Sequence, residues 1–222
     1  VAAGHLVRVL RLGSGAAVTL FNGDGFDYPS TVEEARKQHC RVRVGAAERN
    51  EAESALSITL LQGIARGEKM DLILQKACEL GVAEIWPVIT ERTEVRLDGE
   101  RAERRHAHWL GVLRGAAEQS GRARVPRLAP LEPLSSALAR LPAGQRLTLS
   151  PGADSALGAL TLDARAPVQL LIGPEGGLGE RDLQTAAAAG FTPARLGPRV
   201  LRTETAGLTA LAVLQSRWGD LG

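Results

Sequence analysis

Cysteine, histidine and aromatic residues are scarce in this 222-residue chain, and each scarcity argues against a class of site. The two cysteines, Cys40 and Cys78, have no CxxC spacing, so a disulfide framework or a zinc site is not expected. Two of the four histidines, His106 and His108, would lie on different sides of a helix, and we expect no metal. Aromatic residues make up only 3% of the chain, which disfavours a platform for stacking RNA bases.

Long apolar runs are also absent from the sequence. No segment approaches the roughly 20 apolar residues that a membrane-spanning helix needs. The first residues lack the basic start and apolar stretch of a signal peptide. We therefore expect no membrane contact, and the two ordinary thiols favour a cytoplasmic protein. Because the sequence starts with Val1 rather than Met, we also expect an initial segment to be missing.

Charge of either sign is nearly balanced, with 27 basic against 25 acidic residues. The resulting net charge of +2 is too slight to prove a polyanionic partner. The basic residues are mostly arginine, which grips phosphate bidentately and suits RNA, although a GC-rich genome gives the same bias. The hydrophobic content of 44% is that of a globular protein able to bury a core.

The first 50 or so residues favour short strands. Ala17 to Phe21 is an apolar run that ends at Asn22-Gly23, a hairpin-turn signal. From His39 to Val44, basic residues alternate with Cys40, Val42 and Val44, which predicts a strand with the thiol and valines facing a core. Its arginines would form either a solvated face or a face for RNA phosphates.

From Ser57 onward, strands alternate with longer helical segments. This order is typical of an α/β domain with a parallel sheet. Gly81 follows the first helix at the position that favours a left-handed residue. The predicted strands are Ser57 to Gly63, Ala83 to Ile89, Arg146 to Leu149 and Val168 to Ile172, and the predicted helices are Lys69 to Leu80, Glu103 to Gln119 and Glu204 to Trp218.

A glycine-rich loop, Gly173 to Gly179, follows the apolar strand that ends at Ile172. Glycines let backbone N–H groups approach a ligand closely, and ligands of open α/β sheets bind at the carboxyl ends of strands. The spacing matches neither GxGxxG nor a P-loop. A structural turn would need one or two glycines rather than four in seven residues, so a functional loop is the better interpretation.

A second motif runs from Leu196 to Ala206 and leads into the last helix. Its Gly-Pro predicts a tight turn, and Thr203 is a candidate N-cap. A cap would not explain why Arg202 stands beside Glu204 at the start of an otherwise apolar helix. The positive end of that helix favours anionic or electron-rich groups.

Together these two motifs resemble those of the bacterial 16S rRNA uridine N3-methyltransferases of the SPOUT class. The resemblance extends almost over the whole chain. It includes Lys69-Met70-Asp71, Gln75 to Val82, Glu91-Arg92-Thr93, Glu118 to Arg122 and the N-terminal stretch His5 to Gly13. Leu178 departs from the pattern, because the family commonly has an aromatic residue there.

The resemblance implies an N-terminal PUA-like β-barrel over residues 1–54, truncated at its start, and an α/β SPOUT domain with a deep trefoil knot over residues 55–222. It also implies that the two motifs wrap a bent S-adenosylmethionine, with Leu149, Leu196 and Leu201 as walls around the adenine. The cofactor-binding residues carried over are Leu149, Ile172, Gly173, Pro174, Glu175, Gly176, Gly177, Leu196, Gly197, Val200, Leu201, Arg202, Thr203, Thr205 and Ala206.

The implied reaction moves a methyl group to N3 of a uridine in 16S rRNA, within small-subunit rRNA modification. Uracil N3–H must lose its proton, so the site needs a proton acceptor and a cation for the developing charge. We hypothesise that Arg202 stabilises this charge and that Glu204 is its acidic partner. Glu118 and Arg122 are a second candidate pair. Alternatively, Arg202 and Glu204 pair only with each other and fix the knot.

RNA contacts and a homodimer are further expectations. Candidate phosphate contacts are Arg8, Arg11, Arg41, Arg43, Lys76 and Arg92, each of which could equally be a plain surface charge. The last helix carries Leu208, Leu211, Ala212 and Gln215 at helical spacing, with Val213 and Leu214 beside them. Its apolar surface is either buried within one domain or, as in the resembling family, part of a two-fold dimer.

Two other functions stay open at this point. A PUA-like module could bind RNA without catalysis, but that leaves both C-terminal motifs unused. A SPOUT-class enzyme could instead act on another RNA target, such as a tRNA ribose or a guanosine.

Overall fold

The computed structural model describes residues 12–36, 39–95 and 98–222. The predictions for Arg8, Arg11 and the start of the His5 to Gly13 stretch lie outside these residues. The described chain divides into two compact units. The first contains the described residues up to Glu53 together with Gly121–Arg124, and the second contains Ser54–Ser120 and Val125–Gly222.

The first unit contains an antiparallel sheet of four strands. Strand β2 pairs with β1, β3 and β4, so it organises the sheet. The predicted hairpin at Asn22-Gly23 is confirmed, since β1 and β2 pair antiparallel and Gly23 has a positive φ of 95°. The strands are β1 (Ala17–Leu20), β2 (Phe26–Ala35), β3 (Cys40–Val44) and β4 (Glu48–Arg49).

The alternation expected along β3 is only partly correct. Arg41 and Arg43 are exposed as predicted, but Cys40 and Val42 are only half-buried. Val44 is 53% exposed. The physical reason is that β3 is the last strand on its side of the described sheet, so fewer neighbours cover its apolar face.

The second unit is an α/β domain built on a parallel seven-stranded sheet. Its strands follow the order β11-β9-β10-β5-β6-β7, and β8 also pairs with β6. The strands are β5 (Ile58–Gly63), β6 (Glu84–Ile89), β7 (Arg127–Leu128), β8 (Glu132–Pro133), β9 (Gln145–Leu149), β10 (Val168–Ile172) and β11 (Thr192–Ala194). The helices are α1 (Lys69–Glu79), α2 (Gly99–Ser120), α3 (Leu134–Ala139), α4 (Glu180–Ala188) and α5 (Thr203–Trp218), with a 3₁₀ turn at Leu157–Ala159.

Strands β5 and β10 form the centre of this sheet. Every residue of both strands is buried, as expected of parallel strands covered on two faces. Helices α1, α2 and α5 contribute Ile73, Leu113 and Leu211, each fully buried, to the same interior. The four predicted strands and three long helices of this half are confirmed, with shifts of a few residues at their ends.

The ends of two helices illustrate which boundaries the sequence could predict. Helix α1 ends before Gly81, which has the expected positive φ of 76°. Helix α2 begins at Gly99, four residues before the predicted Glu103. Its first turn is polar and includes an exposed Glu100–Arg104 pair, so no apolar periodicity marks it.

The position of β10 is unusual for its place in the chain. It pairs in parallel with both β5 and β9, so a late strand lies between two earlier ones. The chain then continues through α4 to β11, on the far side of β9. The loops after β9 and β10 therefore lie at the same edge of the sheet.

Within the described residues, none of the helices has both the length and the apolar character needed to cross a bilayer.

Candidate active site

A cleft of about 600 Å³ opens at the carboxyl ends of β9 and β10. Its volume falls within the range typical of small-ligand sites, roughly 300–1,000 Å³. Both C-terminal motifs of the sequence contribute to it. The lining residues are Lys69, Leu149, Ser150, Pro151, Ile172, Gly173, Pro174, Glu175, Gly176, Gly177, Leu178, Leu183, Leu196, Gly197, Arg199, Val200, Leu201, Arg202, Thr203 and Ala206.

The glycine loop after β10 forms one wall of the cleft. Its turn is closed by a hydrogen bond from the Gly177 N–H to the Pro174 carbonyl at 2.9 Å, and Gly177 has a positive φ of 71°. A Cβ at Gly173 would lie 2.8 Å from backbone atoms of Gly177 and Leu178. Glycine is therefore required at Gly173 because the loop folds back on itself.

The second motif joins the glycine loop through Thr203. The Thr203 hydroxyl donates to the Gly173 carbonyl at 2.6 Å and accepts from the Gln62 amide at 3.0 Å. The prediction that Thr203 caps the last helix is wrong, since α5 begins at Thr203 and Arg202 holds the N-cap position without a side-chain cap. The reason is that the hydroxyl bonds to another segment, thirty residues away in the sequence.

Apolar side chains and two tight turns complete the walls. Leu149, Leu196 and Leu201 line the cleft, as the family resemblance implied for the walls around an adenine, and Ile172 lines it as well. Gly197 has a positive φ of 72° in the turn that follows Leu196. Val200 is 82% exposed although it is apolar, so this part of the wall offers an uncovered surface to a ligand.

Lys69 brings positive charge to the cleft. Its ammonium lies 3.2 Å from the Glu175 carboxylate and 3.9 Å from that of Glu204. Partial burial alone would raise the pKa of the Glu175 carboxyl. Backbone N–H groups of Arg66 and of Glu175 itself, together with Lys69, outweigh this effect, so the pKa is lowered. Glu175 is therefore ionised at neutral pH and anchors the glycine loop to the start of α1.

Glu204 lies beside the cleft, in the first turn of α5. It is not among the described residues that line the cleft, but its cationic neighbour Lys69 is. The Glu204 Oε2 atom is buried and has no hydrogen-bond partner among the described residues. A buried carboxylate oxygen without a donor is costly, so this oxygen marks an unsatisfied polar position beside the cleft.

Arg202 is exposed and lines the cleft. Its side chain forms no ion pair with any residue in the described part of the chain, so the alternative that it pairs with Glu204 is wrong. The positive end of α5 and the guanidinium both raise the potential at this wall. The arrangement can stabilise negative charge that develops on a bound group.

The second candidate pair has a different environment. Glu118 is exposed near the end of α2 and does not line the cleft. Arg122 is buried, and its guanidinium donates to the Glu53 carboxylate at 2.8 Å. This ion pair gives Arg122 a structural contact within the first unit.

The candidate RNA contacts also have varied surroundings. Arg41 is exposed, whereas Arg43 pairs with Glu33 at 2.8 Å and Lys76 pairs with Glu79 at 2.8 Å. Arg92 donates to the Gly176 carbonyl at 2.9 Å, so it braces the glycine loop. Among the described residues, no cluster of histidine, cysteine or carboxylate side chains has an arrangement that could hold a metal ion.

The cleft contains residues that the sequence motifs did not single out as ligand contacts. These are Lys69, Ser150, Pro151, Leu178, Leu183 and Arg199. Two signals could have found some of them. Lys69 stands in a stretch that carries the family resemblance, and Ser150-Pro151 directly follows a strand whose carboxyl end faces the site. Thr205, which was carried over as a cofactor contact, is exposed and does not line the cleft.

Comparison with known families gives two matches that together span most of the chain. Residues 52–215 match the model of an RNA methyltransferase domain. Residues 2–45 match that of an RNA methyltransferase PUA domain.

Individual relatives agree with these matches. Ribosomal RNA small subunit methyltransferase E of Buchnera aphidicola (subsp. Schizaphis graminum) is 30% identical, over 98% of this chain and 88% of its own length. The enzyme of the same name from Bacillus subtilis is 29% identical, over 95% of this chain and 85% of its own. A crystal structure of a ribosomal RNA small subunit methyltransferase E from Neisseria gonorrhoeae, bound to S-adenosyl methionine, superposes with a TM-score of 0.92 at 37% identity. It covers 100% of this chain and 91% of that one.

Proposed function

The chain belongs to the RNA methyltransferase family, and from this premise we propose that it transfers a methyl group from S-adenosylmethionine to N3 of one uridine in 16S ribosomal RNA. The observation that carries the proposal is the cleft at the ends of β9 and β10, where the Thr203–Gly173 hydrogen bond joins the two glycine-bearing motifs. The Neisseria gonorrhoeae relative, which binds S-adenosyl methionine, supports the choice of methyl donor.

The residues of the cleft fit this methyl donor. Leu149, Leu196 and Leu201 offer apolar walls for the adenine ring, and the exposed backbone of the glycine loop offers hydrogen bonds to its edge. When bound, S-adenosylmethionine supplies an electrophilic methyl group on a sulfonium. Contacts to the donor are also proposed for the other predicted residues that line the cleft, which are Ile172, Gly173, Pro174, Glu175, Gly176, Gly177, Gly197, Val200, Arg202, Thr203 and Ala206.

The protein's own groups must then handle a proton and a charge on the uracil. Loss of the N3 proton spreads negative charge onto the two carbonyl oxygens of the ring, and we assign Arg202 to stabilise that charge. We propose Glu204 as the acidic group that assists this reaction beside Arg202. Its buried oxygen lacks a hydrogen-bond donor and lies near Lys69. Glu118 and Arg122 are weaker candidates for these catalytic roles. Glu118 does not line the cleft, and Arg122 is paired with Glu53.

A trefoil knot is the most specific feature of the fold that we propose for the α/β domain. The insertion of β10 between β5 and β9 supports it, as does the return of the chain from β11 to the glycine loop at Thr203. Such threading is very rare in proteins. We propose that residues 55–222 form this SPOUT domain and residues 1–54 a PUA-like barrel.

We also propose that the protein works as a homodimer in the cytoplasm, on 16S rRNA within the small ribosomal subunit. Support for the dimer comes from α5, where Leu208, Ala212 and Val213 stay half-buried while Leu211 and Leu214 are enclosed. The half-buried side chains widen the apolar surface beyond the face that the domain itself covers. Sedimentation of a single 23.5 kDa species at working concentration would contradict the dimer.

Mass spectrometry of nucleosides tests the reaction. Small subunits that lack the modification are incubated with the protein and S-adenosylmethionine, and the 16S rRNA is then digested. We expect 3-methyluridine, and none when the methyl donor is omitted. A methylated ribose or guanosine instead would favour another target of the same enzyme class. RNA binding with no methylated product would favour a non-catalytic RNA-binding module.

A further inference from the structure

A row of basic side chains lies on helix α2, apart from the cleft residues. Arg101, Arg104, Arg105 and His108 recur at the spacing i, i+3, i+4 and i+7, which places them on one side of the helix. These four side chains, which we call the arginine face, line a shallow hollow of about 330 Å³. Within the described part of the chain, only these basic side chains line the hollow.

Few ion pairs within the described protein neutralise the positive charges of the arginine face. Arg101 and Arg105 form no ion pair with any residue that the structure describes. Arg104 pairs with Glu100 at 3.1 Å, but both side chains are more than two-thirds exposed, at 71% and 85%. Such an exposed pair is weak and readily exchanges for a stronger partner.

His108 is held in place at the end of the arginine face. Its Nε2 atom lies 2.6 Å from the Asp71 carboxylate of α1. An ionised carboxylate only accepts hydrogen bonds, so the proton of that contact belongs to the imidazole. The ring is about half exposed, at 51%, and therefore meets solvent in a fixed orientation.

The buried side chains of α2 fix which of its other residues point outward. Trp109, Leu113 and Ala117 are buried, and they fix the rotation of the helix against the domain core. Glu103 is two residues from both Arg101 and Arg105, which places its side chain away from the row. The hollow thus combines three guanidinium groups and an imidazole on a rigid element.

We propose that the arginine face binds the phosphate backbone of the RNA substrate. Guanidinium groups grip phosphate bidentately, and a row of them along a rigid helix can follow successive phosphates. Contacts to phosphate position an RNA without reading its sequence. The choice of RNA as the polyanion rests on the proposed function, and the arginine face adds a surface on α2 to the phosphate contacts already expected in both units.

The test compares one double variant and one single variant of the arginine face with a matched control variant on the same helix. Arg101→Gln with Arg105→Gln removes two charges of the arginine face, and Arg101→Glu alone reverses one. Arg114→Gln is the control, because Arg114 is exposed and lies nine residues after Arg105, on the opposite side of α2. Binding of a 16S rRNA transcript is measured by fluorescence anisotropy across a range of salt concentrations.

For the double variant we expect affinity to fall about tenfold at 0.1 M salt and the slope of log affinity against log salt to shrink by roughly 1.5, as two lost phosphate contacts require. The single Arg101→Glu variant should weaken binding in the same direction, and Arg114→Gln should match the wild type. An unrelated double-stranded RNA should lose affinity by the same factor, since backbone contacts carry no sequence preference.

Wild-type affinity and salt slope in both arginine-face variants would overturn the proposal. Calorimetry with S-adenosylmethionine, run on each variant, verifies that the cleft is folded. This arrangement separates the two claims. A protein that methylates 16S rRNA but binds it unchanged after the substitutions refutes only the arginine face, whereas a wild type that makes no 3-methyluridine refutes the proposed function.

Discussion

At the scale of single residues, Arg202 and Lys69 are two of the cations that line the cleft. They differ in what surrounds them. Lys69 lies between Glu175 and Glu204, at 3.2 and 3.9 Å, so its charge is largely balanced by the protein. Arg202 has no carboxylate partner in the described residues, and its charge is therefore available to a bound substrate.

Replacing Arg202 by alanine should lower turnover by roughly 100-fold, the usual effect of removing one group that stabilises developing charge. The affinity for S-adenosylmethionine should change much less, because the apolar walls and the glycine loop stay in place. Single-turnover methylation and calorimetry on the same preparation separate the two effects. Arg202→Lys should recover part of the rate, since it restores a charge without the guanidinium fork. Near-normal turnover of Arg202→Ala would end the proposed role.

At the scale of secondary-structure elements, the start of α5 is held by tertiary contacts rather than by its own cap. Thr203 is 6% exposed, and its hydroxyl bonds both Gly173 and Gln62. Gln62 belongs to β5 and Gly173 follows β10, so one side chain connects a helix to two adjacent strands. The sequence suggested a cap at Thr203 because threonine is common there, and no local pattern could reveal a partner thirty residues away.

Thr203→Val keeps the shape of the side chain and removes the hydroxyl. The buried Gln62 amide and the half-buried Gly173 carbonyl then each lose a hydrogen bond, and the free energy of unfolding should fall by roughly 2–3 kcal/mol. Affinity for S-adenosylmethionine should fall as well, because the two walls of the cleft are no longer tied together. Urea denaturation and calorimetry measure these effects. Thr203→Ser retains the hydroxyl and should behave nearly as the wild type, and equal losses in both variants would show that the hydrogen bonds are not responsible.

At the scale of the whole molecule, the sequence predicted the elements of the α/β domain better than their arrangement. Apolar runs such as Val168–Ile172 predicted buried strands because burial on both faces leaves no polar alternation. The place of β10 between β5 and β9 could not be predicted in this way, because pairing partners are not encoded in local periodicity. In the site, the glycine loop was predicted from its composition. The position of Lys69 in the cleft could not be predicted in this way, because it depends on how distant parts of the chain fold together.

The two units also differ in how well local sequence patterns predicted the burial of their strands. The alternation along Cys40–Val44 predicted a buried apolar face that β3 has only in part, since β3 is an edge strand of the sheet that the structure describes. In the larger domain, each central strand has neighbours on both sides and layers on both faces. Local sequence patterns report burial reliably only where such layers exist.

The central claim is that the cleft built from the Gly173 loop and the start of α5 binds the methyl donor. Isothermal titration of S-adenosylmethionine into the wild type, Gly173→Ala and Gly115→Ala tests it most directly. A Cβ at Gly173 would lie 2.8 Å from backbone atoms, whereas at Gly115, on α2, it would meet nothing within 4 Å. We predict saturable binding to the wild type and to Gly115→Ala, and a loss of affinity of at least about tenfold, or 1.4 kcal/mol, in Gly173→Ala. A folded wild type that releases no heat of binding, or equal affinity in all three proteins, would contradict the account.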